Sequence, residues 1–137
     1  MKAISVKPYW ATLILSGNKT IECRTWQTQY RGDLLICSSA NPKEPGTIAG
    51  HALTVCTLSD IEPFADKHLS DAGFDTMPDV PCYAWHLTNF RDIIPFPVKG
   101  RLNLYEIDDR FIKYLPENMS DTEADEAFNR YYAPLFS

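Results

Sequence analysis

The sequence GNKTIECRTW at residues 17–26 places a lysine, a carboxylate, a guanidinium and an indole within ten positions. Successive side chains of a strand point to opposite faces, so a strand over residues 20–26 would turn Ile21 and Cys23 toward a core. The other face would carry the polar and aromatic residues Thr20, Glu22, Arg24 and Trp26. This pattern predicts a strand with one apolar face and one chemically rich face.

The turn before this strand determines where Lys19 lies. Gly17 tolerates a positive φ, which predicts the end of a helix there. Lys19 then takes the first strand position, within reach of Glu22 and Arg24. A guanidinium lowers and a carboxylate raises the pKa of a nearby lysine, so the charge state of Lys19 stays open. We expect Lys19 to be partly exposed and Lys19→Ala to leave the fold intact. The alternative is a row of solvent-exposed charges on the sheet face that contributes little to stability.

The residues before the turn predict a strand followed by a helix. Residues 2–6 alternate as a short strand, and Pro8 suits the first turn of a helix. Trp10 begins an apolar stripe at helical spacing that ends at Gly17. This position predicts that Trp10 packs in the core beneath the helix, with stacking on a ligand as the alternative.

The next apolar runs predict further strands. Residues 34–37 form a continuous apolar run, typical of a strand buried on both faces. Ser39 lies at its end, where it would offer a hydroxyl to a cleft or simply belong to a turn. Residues 47–58 predict a long strand, and residues 62–69 a short helix. His51 is expected to be half-buried and hydrogen-bonded.

Residues 82–90 predict a strand in which Tyr83 and Trp85 share a face. Cross-strand aromatic pairs stabilise sheets, so core packing explains both residues, although tyrosine and tryptophan also stack on bases. Pro95 and Pro97 predict a loop or edge segment, and residues 102–107 a final strand.

The last part of the chain predicts a helix. Ser120 and Glu123 have the spacing of a capping box. Apolar residues then recur at helical spacing, and the face that carries Phe128 and Tyr131 is expected to pack on the sheet.

The motif Gly17-x-Lys19-x-x-Glu22-x-Arg24, after ISVKPYWA at residues 4–11, resembles the signature of the ASCH domain family, relatives of the PUA RNA-binding fold. GDLLICSSA at residues 32–40, YAWHL at 83–87 and PVKG at 97–100 also resemble that family. The similarity covers about residues 2–107, and residues 108–137 would form a C-terminal helical extension. The resemblance implies an α+β fold: a small mixed β-barrel, a helix after the first strand, and a cleft for RNA or a modified nucleoside.

Length and composition predict one globular domain over residues 1–137. No apolar run is long enough for a membrane span and no signal segment starts the chain, so we expect a cytoplasmic protein. The four cysteines lack a Cys-x-x-Cys spacing, which predicts reduced core thiols, and the three scattered histidines argue against a metal site. No cofactor motif is present.

The charge pattern narrows the class of ligand. The net charge of −5 argues against non-specific duplex binding. However, residues 1–59 carry six basic and three acidic side chains, and the remainder seven and fifteen. This asymmetry favours a small ligand or a short single strand near the motif.

The leading hypothesis is therefore a module that binds RNA or a nucleoside. Lys19 and Arg24 would contact phosphate or a base edge, Glu22 would orient Arg24, and an aromatic residue such as Trp85 would stack. The remaining proposed ligand-binding residues are Ser39, Tyr83 and Trp10.

A metal-independent hydrolase is the alternative, because some relatives are described as N4-acetylcytidine amidohydrolases and others as ribonucleases. The resemblance implies that Lys19 would be catalytic, with Glu22 activating water. In the amidohydrolases the nucleophile is a threonine three positions after the lysine, where this chain has Glu22. A protein-interaction domain is the third hypothesis.

Overall fold

The computed structural model describes residues 1–137. The strands are β1 Lys2–Val6, β2 Ile21–Arg24, β3 Gly32–Ser38, β4 His51–Pro63, β5 Tyr83–Pro97 and β6 Tyr105–Glu106. The α-helices are α1 Pro8–Leu15, α2 Leu69–Ala72 and α3 Asp121–Ala127. Short 3₁₀ turns occur at Asp66–His68, Asp109–Phe111 and Ala133–Leu135, and a π-helical turn at Phe128–Tyr132. None of these helices has the length and apolar character needed to cross a bilayer.

The six strands form one mixed sheet in the order β2-β5-β4-β3-β1-β6. Only β1 and β3 pair in parallel, and the other neighbours are antiparallel. No ladder joins β2 to β6, so the sheet is open and the closed barrel expected from the sequence is not observed. The chain is an α+β domain in which α1 directly follows β1.

Strand β3 lies at the centre of the core and is buried on both faces, as its continuous apolar run predicted. Leu34 and Ile36 belong to the larger apolar cluster, which α1 covers through Ala11 and Ile14. Leu35 and Cys37, which point the other way, belong to a second cluster with residues such as Val55, Ile93 and Tyr105.

The C-terminal helix begins where the sequence predicted. Ser120 and Glu123 form the capping box, and the chain continues through the π-helical turn. The residue that fixes this segment to the sheet is Tyr132, which is buried and donates a 2.6 Å hydrogen bond to the Ile93 carbonyl oxygen. Of the two expected contact residues, Tyr131 is partly buried and packs against the main core, whereas Phe128 is 45% exposed.

Strands β4 and β5 extend further toward their C-terminal ends than predicted because they pair with each other, whereas β4 begins at His51 and not at residue 47. Asp60 pairs with His86 and Pro63 with Tyr83, so residues expected to begin a helix continue the strand, and α2 begins later. Pro95 and Pro97 lie inside β5. Tertiary pairing overrides local propensity at these positions.

The expectation of four reduced thiols is wrong for two cysteines. Cys23 in β2 and Cys82 just before β5 form a disulfide with a Cα–Cα distance of 6.2 Å. Cys37 and Cys56 are free and buried. Sequence spacing gave no sign of this pairing because 59 residues separate the two half-cystines.

Candidate functional site

A cavity of about 790 Å³ opens beside β2, over the strand face that the sequence analysis identified as chemically rich. It is bounded by β2, the start of α1, the turn after β3 and the loop after β5. Its lining residues are Ser5, Val6, Lys7, Trp10, Lys19, Glu22, Cys23, Arg24, Trp26, Ser39, Ala40, Asn41, Phe74, Lys99, Gly100, Arg101, Leu102 and Asn103.

The lining of the cavity is strongly basic. Five cationic side chains face one carboxylate, that of Glu22. The whole chain, by contrast, has a net charge of −5. Clustered charge of one sign in a concave site focuses the field and attracts ions of the opposite sign. The cavity is therefore suited to an anionic ligand.

Lys19 lies at the floor of this cavity and is only 1% exposed, whereas the sequence predicted partial exposure. Its ammonium donates a 2.6 Å hydrogen bond to the Ala72 carbonyl oxygen and lies 3.6 Å from Glu22 Oε1. The Trp10 and Phe74 ring centroids are 4.8 and 4.9 Å from Nζ. The charge is thus held by a carbonyl, a carboxylate and two aromatic rings.

Burial determines the direction of the Lys19 pKa. Removal from water disfavours the charged form and lowers the pKa of Lys19 below its usual value, and this effect exceeds the opposing attraction of Glu22. The positive charge of Arg24 lowers the pKa further. Lys19 therefore releases its proton more readily than a surface lysine does.

Glu22 positions the guanidinium of Arg24. Glu22 Oε2 lies 3.0 Å from Arg24 Nε, although the N–H is poorly aligned for a hydrogen bond. Glu22 Oε1 accepts a 3.2 Å hydrogen bond from the Cys23 amide. Arg24 Nη2 donates to the Ser5 carbonyl oxygen at 2.7 Å, and Nη1 has no protein partner. Arg24 is thus fixed on one side with donors left for a ligand.

The aromatic lining differs from the prediction. Trp10 lines the cavity and also packs against the core. Trp85, the proposed stacking residue, is 0% exposed and belongs to the main core, and Tyr83 is partly buried against that core. Neither lines the cavity. Trp26 lies there instead. Its ring centroid is 4.8 Å from that of Trp85, in an edge-to-face arrangement.

Ser39 lines the cavity, and its hydroxyl donates a 2.9 Å hydrogen bond to the Asn41 carbonyl oxygen. The predicted site residues Lys19, Glu22, Arg24, Ser39 and Trp10 therefore come together, and Tyr83 and Trp85 do not.

Several lining residues were absent from the sequence-based set. Trp26 had a usable signal, since it shares the strand parity of Glu22 and Arg24. Phe74 lies in a segment expected to be an irregular loop, and Lys99 and Arg101 lie in the loop after β5. These three had no local pattern that points to a ligand.

Two of the three histidines, expected to be scattered, lie together with Glu62. Glu62 Oε2 is 2.8 Å from His86 Nε2 and 3.5 Å from His68 Nε2. Hydrogen bonding from His86, with the nearby Lys67, holds the pKa of Glu62 below its usual range. His51 lies apart, partly buried and bonded to the Ala49 carbonyl oxygen at 2.8 Å.

The tautomer of His68 decides what this cluster can bind. Its Nδ1 accepts a 2.9 Å hydrogen bond from the Ala65 amide, so the proton of the neutral ring lies on Nε2. That buried N–H lies 3.5 Å from Glu62 Oε2 without forming a hydrogen bond, and in this tautomer Nε2 has no lone pair for a metal ion. The ligand atoms of Glu62, His68 and His86 all lie within 4.8 Å of one another, and the hydrogen bond between His86 and Glu62 joins two of the three residues.

Comparison with known proteins identifies a family. The ASCH domain sequence model matches residues 4–128, which extends past residue 107 into the C-terminal helix. No curated protein sequence matches the chain.

Crystal structures of an ASCH protein from Zymomonas mobilis share the fold. A tyrosine-to-phenylalanine variant aligns with a TM-score of 0.61 at 14% identity, covering 99% of this chain and 98% of that chain. A serine-to-alanine variant aligns with a TM-score of 0.59 at 16% identity, covering 94% of each.

Proposed function

This chain belongs to the ASCH domain family, and we propose that its cavity binds single-stranded RNA by taking in one unpaired nucleotide. The observation that carries this proposal is the basic cavity itself. Five cationic side chains and a single carboxylate line about 790 Å³ in a protein whose net charge is −5. Such a concentration of positive charge matches a phosphate-bearing ligand.

The floor of the cavity has the donors needed to recognise a base edge. Arg24 is fixed by Glu22 and by the Ser5 carbonyl oxygen, which leaves Nη1 free to donate. Lys19 lines the same floor, with its ammonium engaged by the Ala72 carbonyl oxygen and by Glu22. Proteins that recognise RNA bases in single strands use donors of this kind on the exposed base edges.

Aromatic side chains complete the site. Trp26 and Trp10 line the cavity, and each is supported from behind, Trp26 by Trp85 and Trp10 by Phe74. A base that enters would stack on one of these indoles, a contact worth about 1–3 kcal/mol per base. Recognition would therefore combine stacking on an indole with hydrogen bonds from the floor.

The test is fluorescence anisotropy with a labelled single-stranded RNA, with EDTA present. We expect Arg24→Gln to weaken binding by about tenfold or more, the loss of a charge-assisted contact. Arg24→Lys keeps the charge but not the planar fork, and should recover only part of the affinity. Arg130→Gln, an exposed arginine outside the cavity, is the matched control.

Salt provides a second readout. Each phosphate contact to a single strand contributes about −0.7 to the slope of log affinity against log salt concentration. A slope near zero, or an Arg24→Gln variant that binds like wild type while remaining folded, would contradict the proposal.

A metal-independent hydrolase is the second candidate, favoured by one observation. Burial lowers the pKa of Lys19, and its amine lies 3.6 Å from the Glu22 carboxylate in the same cavity. A neutral amine there would serve as a general base. Both Glu22 oxygens are already engaged, so this carboxylate is better placed to orient groups than to take up a proton.

The hydrolase candidate predicts turnover in EDTA of RNA or of N4-acetylcytidine. If the Glu22→Gln variant loses this turnover but binds the substrate with unchanged affinity, the site is catalytic. Intact substrate after prolonged incubation with wild type would exclude it for these two substrates.

A further inference from the structure

A second, smaller cavity of about 320 Å³ adjoins the first and shares two of its residues, Lys99 and Arg101. Its apolar lining includes Phe96, Ile107 and Phe111. The loop after β5 therefore separates two concave sites and presents the same two cations to both.

These shared cations have no partner within the protein. Neither Lys99 nor Arg101 forms an ion pair or a side-chain hydrogen bond, and both are exposed. The carboxylates of the second cavity, in contrast, are occupied. Glu106 lies 2.9 Å from the Lys2 ammonium, and Asp108 lies 3.4 Å from Arg110 Nε. The boundary between the cavities is therefore a site of uncompensated positive charge.

Phe111 gives the second cavity a surface on which a base can stack. It is 50% exposed. Its ring centroid lies 6.1 Å from that of Phe96, with the planes inclined by 32°. The guanidinium carbon of Arg110 lies over the Phe111 ring, 5.0 Å from its centroid, so a base would stack on Phe111 by displacing this exposed side chain or by stacking on its guanidinium.

We propose that the two cavities bind consecutive nucleotides of one single strand. One base enters the larger cavity, the phosphate that joins the two nucleotides contacts Lys99 and Arg101, and the neighbouring base stacks on Phe111. Alternation of stacking surfaces with phosphate-binding cations is how proteins follow a single strand. This inference rests on the proposed function and names the ligand as an oligonucleotide, not a free nucleoside.

Calorimetric titration with short ligands tests the proposal. The series contains, for each of the four bases, the nucleoside 3′,5′-bisphosphate and the two homodinucleotides that carry one terminal phosphate, at the 5′ or at the 3′ end. All three ligands have two phosphates, so each dinucleotide differs from the bisphosphate by the added nucleoside. We expect the best dinucleotide to bind about tenfold more tightly than its bisphosphate, the typical effect of one stacked base.

Phe111→Leu should reduce the affinity for the dinucleotide to nearly that for the bisphosphate, and leave bisphosphate binding unchanged. Tyr114→Leu is the matched control, because Tyr114 is also 50% exposed and lines neither cavity. Replacing Lys99 and Arg101 together by glutamine should weaken both ligands, whereas Lys113→Gln should weaken neither.

The outcomes separate this proposal from the one on which it rests. If bisphosphates bind in an Arg24-dependent way but dinucleotides bind no more tightly, or if Phe111→Leu changes nothing, the second cavity is not a nucleotide site and only this inference fails. If no ligand of either kind binds, both proposals are overturned.

Discussion

Lys19 donates a 2.6 Å hydrogen bond to the Ala72 carbonyl oxygen, a contact that spans 53 residues of sequence. Ala72 is the last residue of α2 and packs with Ile21 and Ala84 in a small apolar cluster. The lysine at the start of the signature strand therefore also holds α2 against the sheet. A residue that we propose as part of the binding site is at the same time part of the structural framework.

This contact predicts that replacing Lys19 affects stability. Lys19→Met keeps most of the side-chain volume but leaves the Ala72 carbonyl without its donor, so we expect the free energy of unfolding to fall by about 1–3 kcal/mol. Lys19→Ala should cost more because it also leaves a cavity. Urea unfolding measures both variants. If Lys19→Ala were as stable as wild type, the structural role of the Lys19–Ala72 hydrogen bond would be contradicted, and the partial exposure expected from the sequence would be the better description.

The same lysine predicts a dependence of stability on pH. Because burial lowers the pKa of Lys19 in the folded protein, the unfolded chain binds its proton more readily between that lowered pKa and the usual value near 10.5. Stability rises with pH wherever the unfolded state binds more protons. The free energy of unfolding of wild type, minus that of Lys19→Met, should therefore increase as the pH rises through the lowered pKa toward 10.5.

Urea unfolding at several alkaline pH values measures this difference, and Lys113→Met, which replaces an exposed lysine, serves as the control. A difference that decreases with pH would mean that the folded protein favours the charged lysine. The dominant effect would then be the attraction of Glu22, and not burial.

Two tryptophans that touch each other are predicted to behave differently. Trp26 lines the cavity and Trp85 is fully buried, and their ring centroids are 4.8 Å apart. Trp85→Ala should lower the free energy of unfolding by about 3–5 kcal/mol. Trp26→Ala should lower it by only about 1–2 kcal/mol while weakening RNA binding at least fivefold, about the effect of losing one stacked base.

Thermal unfolding and anisotropy titration, measured on the same samples, separate the two effects. A folded Trp26→Ala variant with unchanged affinity would remove Trp26 from the site.

The sequence predicted the polar face of the signature strand because that information is local, although β2 covers only Ile21–Arg24 and Cys23, expected to face the core, is half-buried and lines the cavity. Side-chain alternation alone places Glu22, Arg24 and Trp26 on one face, and the structure brings all three to the cavity. The apolar run of β3 likewise indicated its burial on both faces.

The alternation of side chains along a strand does not reveal which face of the sheet is covered by the rest of the protein. Trp85 and Tyr83 share a strand face, but that face meets the core, as the packing of other strands determines. The burial of Lys19 depends on Ala72 and Phe74, which are more than 50 residues away along the chain. Such contacts arise from the tertiary fold and have no local signature.

The disulfide beside the cavity gives a last prediction, on cysteine reactivity and stability. Cys23 lines the cavity and is joined to Cys82. Burial raises the pKa of Cys37 to about 11 and that of Cys56 to about 12, so neither forms the reactive thiolate at pH 8. Iodoacetamide should therefore label no cysteine in the folded oxidised protein, and only the Cys23 and Cys82 thiols after mild reduction.

Loss of the cross-link should also lower stability, because it frees the unfolded chain. Cys82→Ser is expected to lower the free energy of unfolding by about 2–4 kcal/mol without reductant. With reductant present, wild type and Cys82→Ser should become nearly equal. Two labelled cysteines in untreated protein, or a Cys82→Ser variant as stable as oxidised wild type, would show that the bond does not form. Alkylation of Cys23 places a bulky group in the cavity, so labelled protein should also lose RNA binding if the cavity is the binding site.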